Sequence, residues 1–203
     1  MDIKESIRQF LPKYLSPEDE EKLIACINEF PENINSRFYT TFLKAEPIIF
    51  QGDGIQSLPV VDLPNPEVKH VLALILSNTC DVDEQNDRLF PSKLNYSPII
   101  NLKKYIELLE SNSIESKRLN NHVKAIKNQD ITQIFYLPAS KDIEDSIVFL
   151  DRINSCSNNL IDRSNLKEKR TFTLSNLGFY LLLLKLSISF TRIAEKVNRP
   201  IDE

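Results

Sequence analysis

The period of the hydrophobic positions changes several times along the chain, and each change predicts an element. Val71 to Leu76 reads V-L-A-L-I-L, apolar without interruption. A half-exposed strand would alternate and a core helix would need ten or more residues, so this run predicts a central strand buried on both faces. It leads straight into Ser77, Asn78, Thr79, Cys80, Asp81 and Asp83, which places small polar and acidic groups at the rim where the strand leaves the core. The same residues also suit a plain turn, because Asn, Asp, Ser and Thr bond their own backbones there.

Upstream, Ile3, Ile7, Phe10 and Leu11 form the stripe of a short amphipathic helix that Pro12 ends or kinks. Ser16-Pro17-Glu18-Asp19 starts a second helix, with Leu23, Ile27 and Phe30 on one face before Pro31. Residues 1–31 thus read as a helical preface to a single domain over 32–203. Aromatic and β-branched residues from Phe38 to Phe50 predict strands. Gln51-Gly52-Asp53-Gly54 holds two of the chain's three glycines, which predicts a corner needing positive φ or close approach. A phosphate cradle is the functional alternative, without the G-x-G-x-x-G pattern or a following helix signal. Leu58 to Leu63 reads as a strand, and L-P-N-P turns the chain into the central one.

Downstream, Asp83 to Ser92 reads as a polar loop and Ser97 to Leu102 as an extended piece. Asn101 caps a helix in which Leu102, Tyr105, Ile106 and Leu109 share a face. A second helix from Ser113 sets Ile114, Leu119, Val123 and Ile126 against a basic side of Lys117, Arg118, His122, Lys124 and Lys127. Together they make a helical insertion near 101–128. Gln133 to Leu137 and Ser146 to Leu150 predict strands around the charged turn 141–145. Residues 152–170 read as a loop with a short strand, and Thr171 to Leu174 alternates as an edge strand would. Ser175 caps a final helix through about Val197, leaving 198–203 as a frayed tail. Strands with helices before, between and after them define an α+β protein.

Charge and cysteine content narrow the classes. A formal net charge of -4 and a pI near 5.4 argue against non-specific coating of nucleic acid, which rests on many phosphate contacts. Lys117, Arg118, Lys124 and Lys127 remain the best local surface for nucleic acid, a solvated helix face being the plainer account. Cys26, Cys80 and Cys156 follow no disulfide or zinc spacing, so reduced thiols in the cytoplasm are expected. The charged N-terminus lacks an apolar signal region. Leu177 to Phe190 falls short of the ~20 residues a bilayer needs and contains Lys185, so no membrane is expected.

The rim residues carry the candidate chemistry. Ser77, Cys80 and Asp81 are the catalytic candidates, and Asn78, Thr79, Asp83, Arg88, Arg152 and Arg192 the binding ones. His70, Cys80, Asp81 and Asp83 are metal-ligand types, but a straight strand holds His70 and Cys80 about 33 Å apart, and D-V-D-E-Q-N-D lacks the EF-hand glycine. No metal and no cofactor are expected. A Cys80 nucleophile would need His70 or His122 as its base. Alternatively Asp81 is a structural acid that pins an arginine such as Arg192 by a bidentate pair.

Gly52-Asp53-Gly54, the strand from His70 to Ser77, and Ile147 to Ile153 ahead of a terminal helix resemble the SH3-like barrel of the PemK and MazF toxin ribonucleases. The buried strand running into S-N-T-C-D, with Phe135 to Pro138 and Ser189 to Arg192, also resembles bacterial proteins of mobile elements and phage defence. The resemblance covers the residues after Phe50 in separate pieces. It implies a small, strongly bent sheet or SH3-like barrel, and Ser77 matches the Ser or Thr that serves RNA cleavage in the toxins. Their basic residue near the first loop is missing, since Ile55-Gln56-Ser57 stands there. The expectation is a bacterial binding or regulatory module of a toxin or phage-defence system, with a protein partner. A toxin-type ribonuclease and a structural subunit assembling through its N-terminal helices are the alternatives.

Overall fold

The computed structural model describes residues 37–86 and 88–191, with Ser16, Glu18, Glu21, Lys22, Ile24 and Ala25 from the N-terminal region. Most of the expected helical preface, Arg192 and the tail 198–203 lie outside the described residues. The α+β class holds. The chain runs through β1 (Tyr39–Thr40), β2 (Asp53–Asp62), β3 (Asn65–Ile75), α1 (Thr79–Val82), β4 (Lys93–Asn101), α2 (Leu102–Ser111) and α3 (Ser116–Lys127). There follow β5 (Ile134–Leu137), β6 (Ser146–Phe149), β7 (Asn154–Ser157), α4 (Leu166–Lys169), β8 (Arg170–Leu174) and α5 (Asn176–Thr191). Helices α2 and α3 follow β4 directly, and Asn101 caps α2 by accepting from the Lys104 amide at 3.1 Å.

All strand pairs are antiparallel, in the order β1-β8-β2-β3-β4-β6-β5, with β7 paired to β4. The sheet is not closed into a barrel: among the described residues no ladder joins β1 to β5. The two ends meet through side chains instead. Phe38 and Phe135 lie 5.8 Å apart ring to ring, and the Tyr39 hydroxyl donates to the Pro138 carbonyl at 2.8 Å.

β3 is the central strand, and its continuous apolar run has a geometric cause. Leu72, Leu74 and Leu76 face one core with Phe135, Val148 and Leu182. Val71, Ala73 and Ile75 face a second core with Ile55, Leu94, Tyr96 and Leu166. Each side of the pleat therefore removes apolar surface from water, about 1.5–3 kcal/mol for each large side chain. Residues 65–70 are exposed and extend the strand beyond the cores as a hairpin with β2.

β4 changes partner along one edge, from β7 at Lys93–Tyr96 to β6 at Ile99–Asn101. At the break sits Ser97, fully buried, whose hydroxyl donates to the carbonyls of Phe149 at 2.7 Å and Arg152 at 3.2 Å. Two carbonyls that would lose a ladder partner are satisfied by one side chain.

The Gln51–Gly54 corner forms as the glycines require. Gly52 has φ +91°, and a Cβ on Gly54 would stand 2.3 Å from the Phe172 ring. Between them Asp53 is fully buried and accepts from Arg170 Nε at 2.9 Å, the Thr173 hydroxyl at 2.7 Å and the Phe50 amide at 2.9 Å. The Arg170 guanidinium also donates to the carbonyls of Leu43, Lys44, Glu46 and Ile48 and lies over the Phe50 ring. This corrects two expectations. The strands read over Phe38 to Phe50 reduce to β1, because the carbonyls of 43–48 turn to a guanidinium rather than a neighbouring strand. β8 is not an edge strand, since it lies between β1 and β2.

Helix α5 starts at Ser175, whose hydroxyl accepts from the Gly178 amide at 3.4 Å. It is apolar on nearly every side, and its one charged residue, Lys185, is buried with Nζ donating to the carbonyls of Gln129 and Ile131. Gln129, at φ +61°, bonds both the amide and the carbonyl of Tyr136, as a neighbouring strand would. The outer edge of β5 is thus covered by a side chain.

Replacing Arg170 with Met removes the cationic partner of the buried Asp53 carboxylate and the guanidinium donor to four carbonyls. We expect Arg170→Met to lower the unfolding free energy by roughly 3–5 kcal/mol in urea, with Arg170→Lys only partly restoring it because an ammonium lacks the planar fork. Burial pushes the Lys185 amine down to about 8, with Asp130 opposing, from an ordinary 10.5. Between those values the unfolded chain binds the proton that the folded chain has released, so stability gains from Lys185 as pH rises through that window. The stability difference between wild type and Lys185→Met should therefore grow in favour of wild type from pH 8 to pH 10, measured by denaturant titration; a constant difference contradicts it.

Candidate functional site

The rim forms as a capped turn. Ser77 is buried, and its hydroxyl accepts from the Asn95 amide at 2.7 Å and donates to the Lys93 carbonyl at 3.4 Å. The Asn78 side chain caps α1 by accepting from the Cys80 amide at 2.9 Å. The Thr79 hydroxyl accepts from the Gln51 amide at 3.0 Å, and the Gln51 side chain donates to the Leu76 carbonyl at 2.8 Å, which ties the end of β3 to the glycine corner. The amides of Phe50, Gln51, Gly52 and Asp53 all have internal acceptors. None is left for a phosphate, so the corner is a turn.

Beyond the turn the groups face solvent. Cys80 is exposed with a free thiol. Asp81 bonds Arg88 Nη2 at 2.6 Å, with both side chains largely exposed. Asp83 accepts from the Gln85 amide at 2.9 Å. Here the chain borders an open, polar cleft of about 440 Å³ lined by Asp83, Glu84, Gln85, Asn86, Arg88, Pro91, Ser92, Asn158 and Asn159.

Sequence reading missed the floor of this cleft. Asn158 is buried, donates to the Val82 carbonyl at 2.9 Å, and accepts from Arg163 Nη2 at 2.6 Å. Arg163 also holds the carbonyls of Asn158 and Ile161 and reaches Glu84 at 3.4 Å. These contacts lock the 158–163 segment beneath α1. Both residues lie in a polar stretch without periodicity, so only their pairing in space reveals them.

Other candidates lie elsewhere. Arg152 does not line the cleft but stacks on Phe149, its guanidinium carbon 4.3 Å from the ring centre. Arg192 falls outside the described residues. His70 is exposed on the hairpin, and His122 bonds the Tyr105 hydroxyl at 3.0 Å between α2 and α3. Among the described residues no three His, Cys, Asp or Glu side chains gather as a metal site. On the basic face Lys117, Arg118 and Lys124 are exposed, whereas Lys127 pairs with Asp145 at 2.9 Å. Burial pushes the Asp145 carboxyl up, but hydrogen bonds from Lys127, the Tyr136 hydroxyl and the Ala139 amide hold it below the usual range.

No protein-family model matches the chain, and no curated protein matches it. Among the described residues no helix is long and apolar enough to cross a membrane.

The geometry separates surface from scaffold at the cleft. Asp81→Ala should change stability by less than about 1 kcal/mol, because an exposed ion pair contributes little. Asn158→Ala should cost about 1–3 kcal/mol, since it strips partners from the Val82 carbonyl and Arg163. Equal losses in urea titrations of the two variants would contradict this assignment.

Proposed function

We propose that the chain is a binding module that receives a protein partner at the cleft beside α1, in the regulatory role expected from its resemblance to toxin and phage-defence proteins. The observation that carries the reading is a set of three exposed apolar side chains adjacent in sequence to residues that line that polar cleft. Leu89 and Phe90 are 100% and 84% exposed and stand between the lining residues Arg88 and Pro91, and Leu160, 57% exposed, follows the lining residue Asn159. Isolated exposed apolar residues are ordinary. Three next to one cleft of amides and charges supply apolar anchors alongside polar contacts, the two ingredients of a protein interface.

The ribonuclease alternative is weaker on chemical grounds. Ser77 would need a free hydroxyl and a neighbouring base, yet its Oγ is committed to β4 and His122 is bonded to Tyr105. Free thiols at Cys80 and Cys156 support a reducing, cytoplasmic setting. The approach of β1 to β5 through Tyr39 and Phe38 supports reading the sheet as an opened form of the SH3-like arrangement.

Purified chain incubated with mixed RNA and DNA, with and without Mg²⁺, should leave both intact. Turnover that disappears in Asp81→Ala with an unchanged melting curve would overturn the binding-module reading. The double variant Leu89→Asp/Phe90→Asp should keep its stability within about 0.5 kcal/mol and lose the partner that wild type captures; equal capture by both rejects the cleft as the docking face.

A further inference from the structure

Helix α5 carries an apolar stripe at Leu177, Leu181, Leu184 and Ile188, spaced 4-3-4 as in a helix that packs along another helix. The stripe is only half covered. Leu177 and Leu181 are buried, whereas Leu184 and Ile188 are each 43% exposed. α5 thus extends past the core with its contact face still open, in a helix whose only charged residue is turned inward.

A matching stripe exists earlier in the chain. Glu18, Glu21, Lys22, Ile24 and Ala25 are helical, and Lys22 donates to Glu18 one turn earlier at 2.7 Å. Glu18, Glu21, Lys22 and Ala25 are exposed and share one side of the helical wheel, while Ile24, off that side, is half-buried. On a continuous helix Leu23, Ile27 and Phe30 fall opposite the exposed side, spaced 4-3.

The chain's path brings the two stripes within reach. It enters the described fold at Arg37, whose carbonyl accepts from the Ser175 hydroxyl, and the Phe38 carbonyl accepts from the Ser175 amide at 2.9 Å. Ser175 is the cap of α5, so the N-terminal region joins the fold at the start of that helix. The link from Phe30 to Arg37 spans up to ~23 Å when extended, and Leu184 and Ile188 lie about 14–20 Å along α5 from its cap.

We propose that the N-terminal helix around Glu18 to Phe30 docks antiparallel on α5, with Leu23 and Ile27 covering Leu184 and Ile188. Its acidic outer side then replaces an apolar surface with a solvated one. The occupant is this chain's own segment rather than a second copy, because the short link holds it beside α5 at high effective concentration.

Hydrogen exchange on the full chain, with light scattering for mass, tests this. Wild type should be a monomer with protected amides in 18–30. In Leu184→Asp/Ile188→Asp those amides should exchange about tenfold faster or more, while β3 amides keep their protection. Ile27→Asp, which leaves α5 untouched, should give the same release. Unprotected 18–30 amides in wild type, or protection unchanged in both variants, overturns the proposal. A wild-type dimer that the α5 variant converts to monomer overturns it in favour of a second copy.

Discussion

The buried pair of Asp53 and Arg170 ties an early part of the described fold to a late one. One carboxylate joins the start of β2 to β8, and one guanidinium gathers the carbonyls of a loop that makes no ladder. Burial pushes the Asp53 carboxyl up, while Arg170, the Thr173 hydroxyl and the Phe50 amide pull it back. Such a cluster adds little net stability over an apolar replacement of the same shape, but losing one member strands the rest. Its contribution is to specify one path for residues 43–53, and through Gln51 that path reaches the end of β3 and the candidate site.

The site rests on this frame in sequence. Gln51 hands the position of the glycine corner to Thr79 and Leu76, the Asn78 cap turns the chain into α1, and Val82 packs into the second core while its carbonyl meets Asn158. The polar residues nearest the strand serve as structure. Those farther along, Cys80, Asp81, Glu84, Gln85, Asn86 and Arg88, are left to solvent. A surface of that kind suits recognition, where rigid backing and exposed contacts are both needed.

What the sequence made legible follows from the range of each interaction. Val71 to Leu76 was readable because burial on both faces erases alternation, and Asn101 and Ser175 because a cap acts within one turn. The two glycines of the corner were readable because few other residues suit their backbone. Arg170 was not: it closes a long polar stretch, and its partner Asp53 lies 117 residues away. The same distance hid the reason that Phe38 to Phe50, rich in strand-forming residues, makes so little strand. Asn158 and Arg163 escaped notice likewise, being polar residues in an aperiodic segment that matter only through Val82.

The alternation along β3 bears on how this chain tolerates change in length. Deleting or inserting one residue between Val71 and Leu76 would exchange the sets facing the two cores, giving each a complement of side chains shaped for the other. A change of two residues preserves facing and disturbs only spacing. Lineages carrying this fold should accordingly vary in length at the exposed 62–65 turn of the hairpin, and hold the residue count of the buried half of β3 constant.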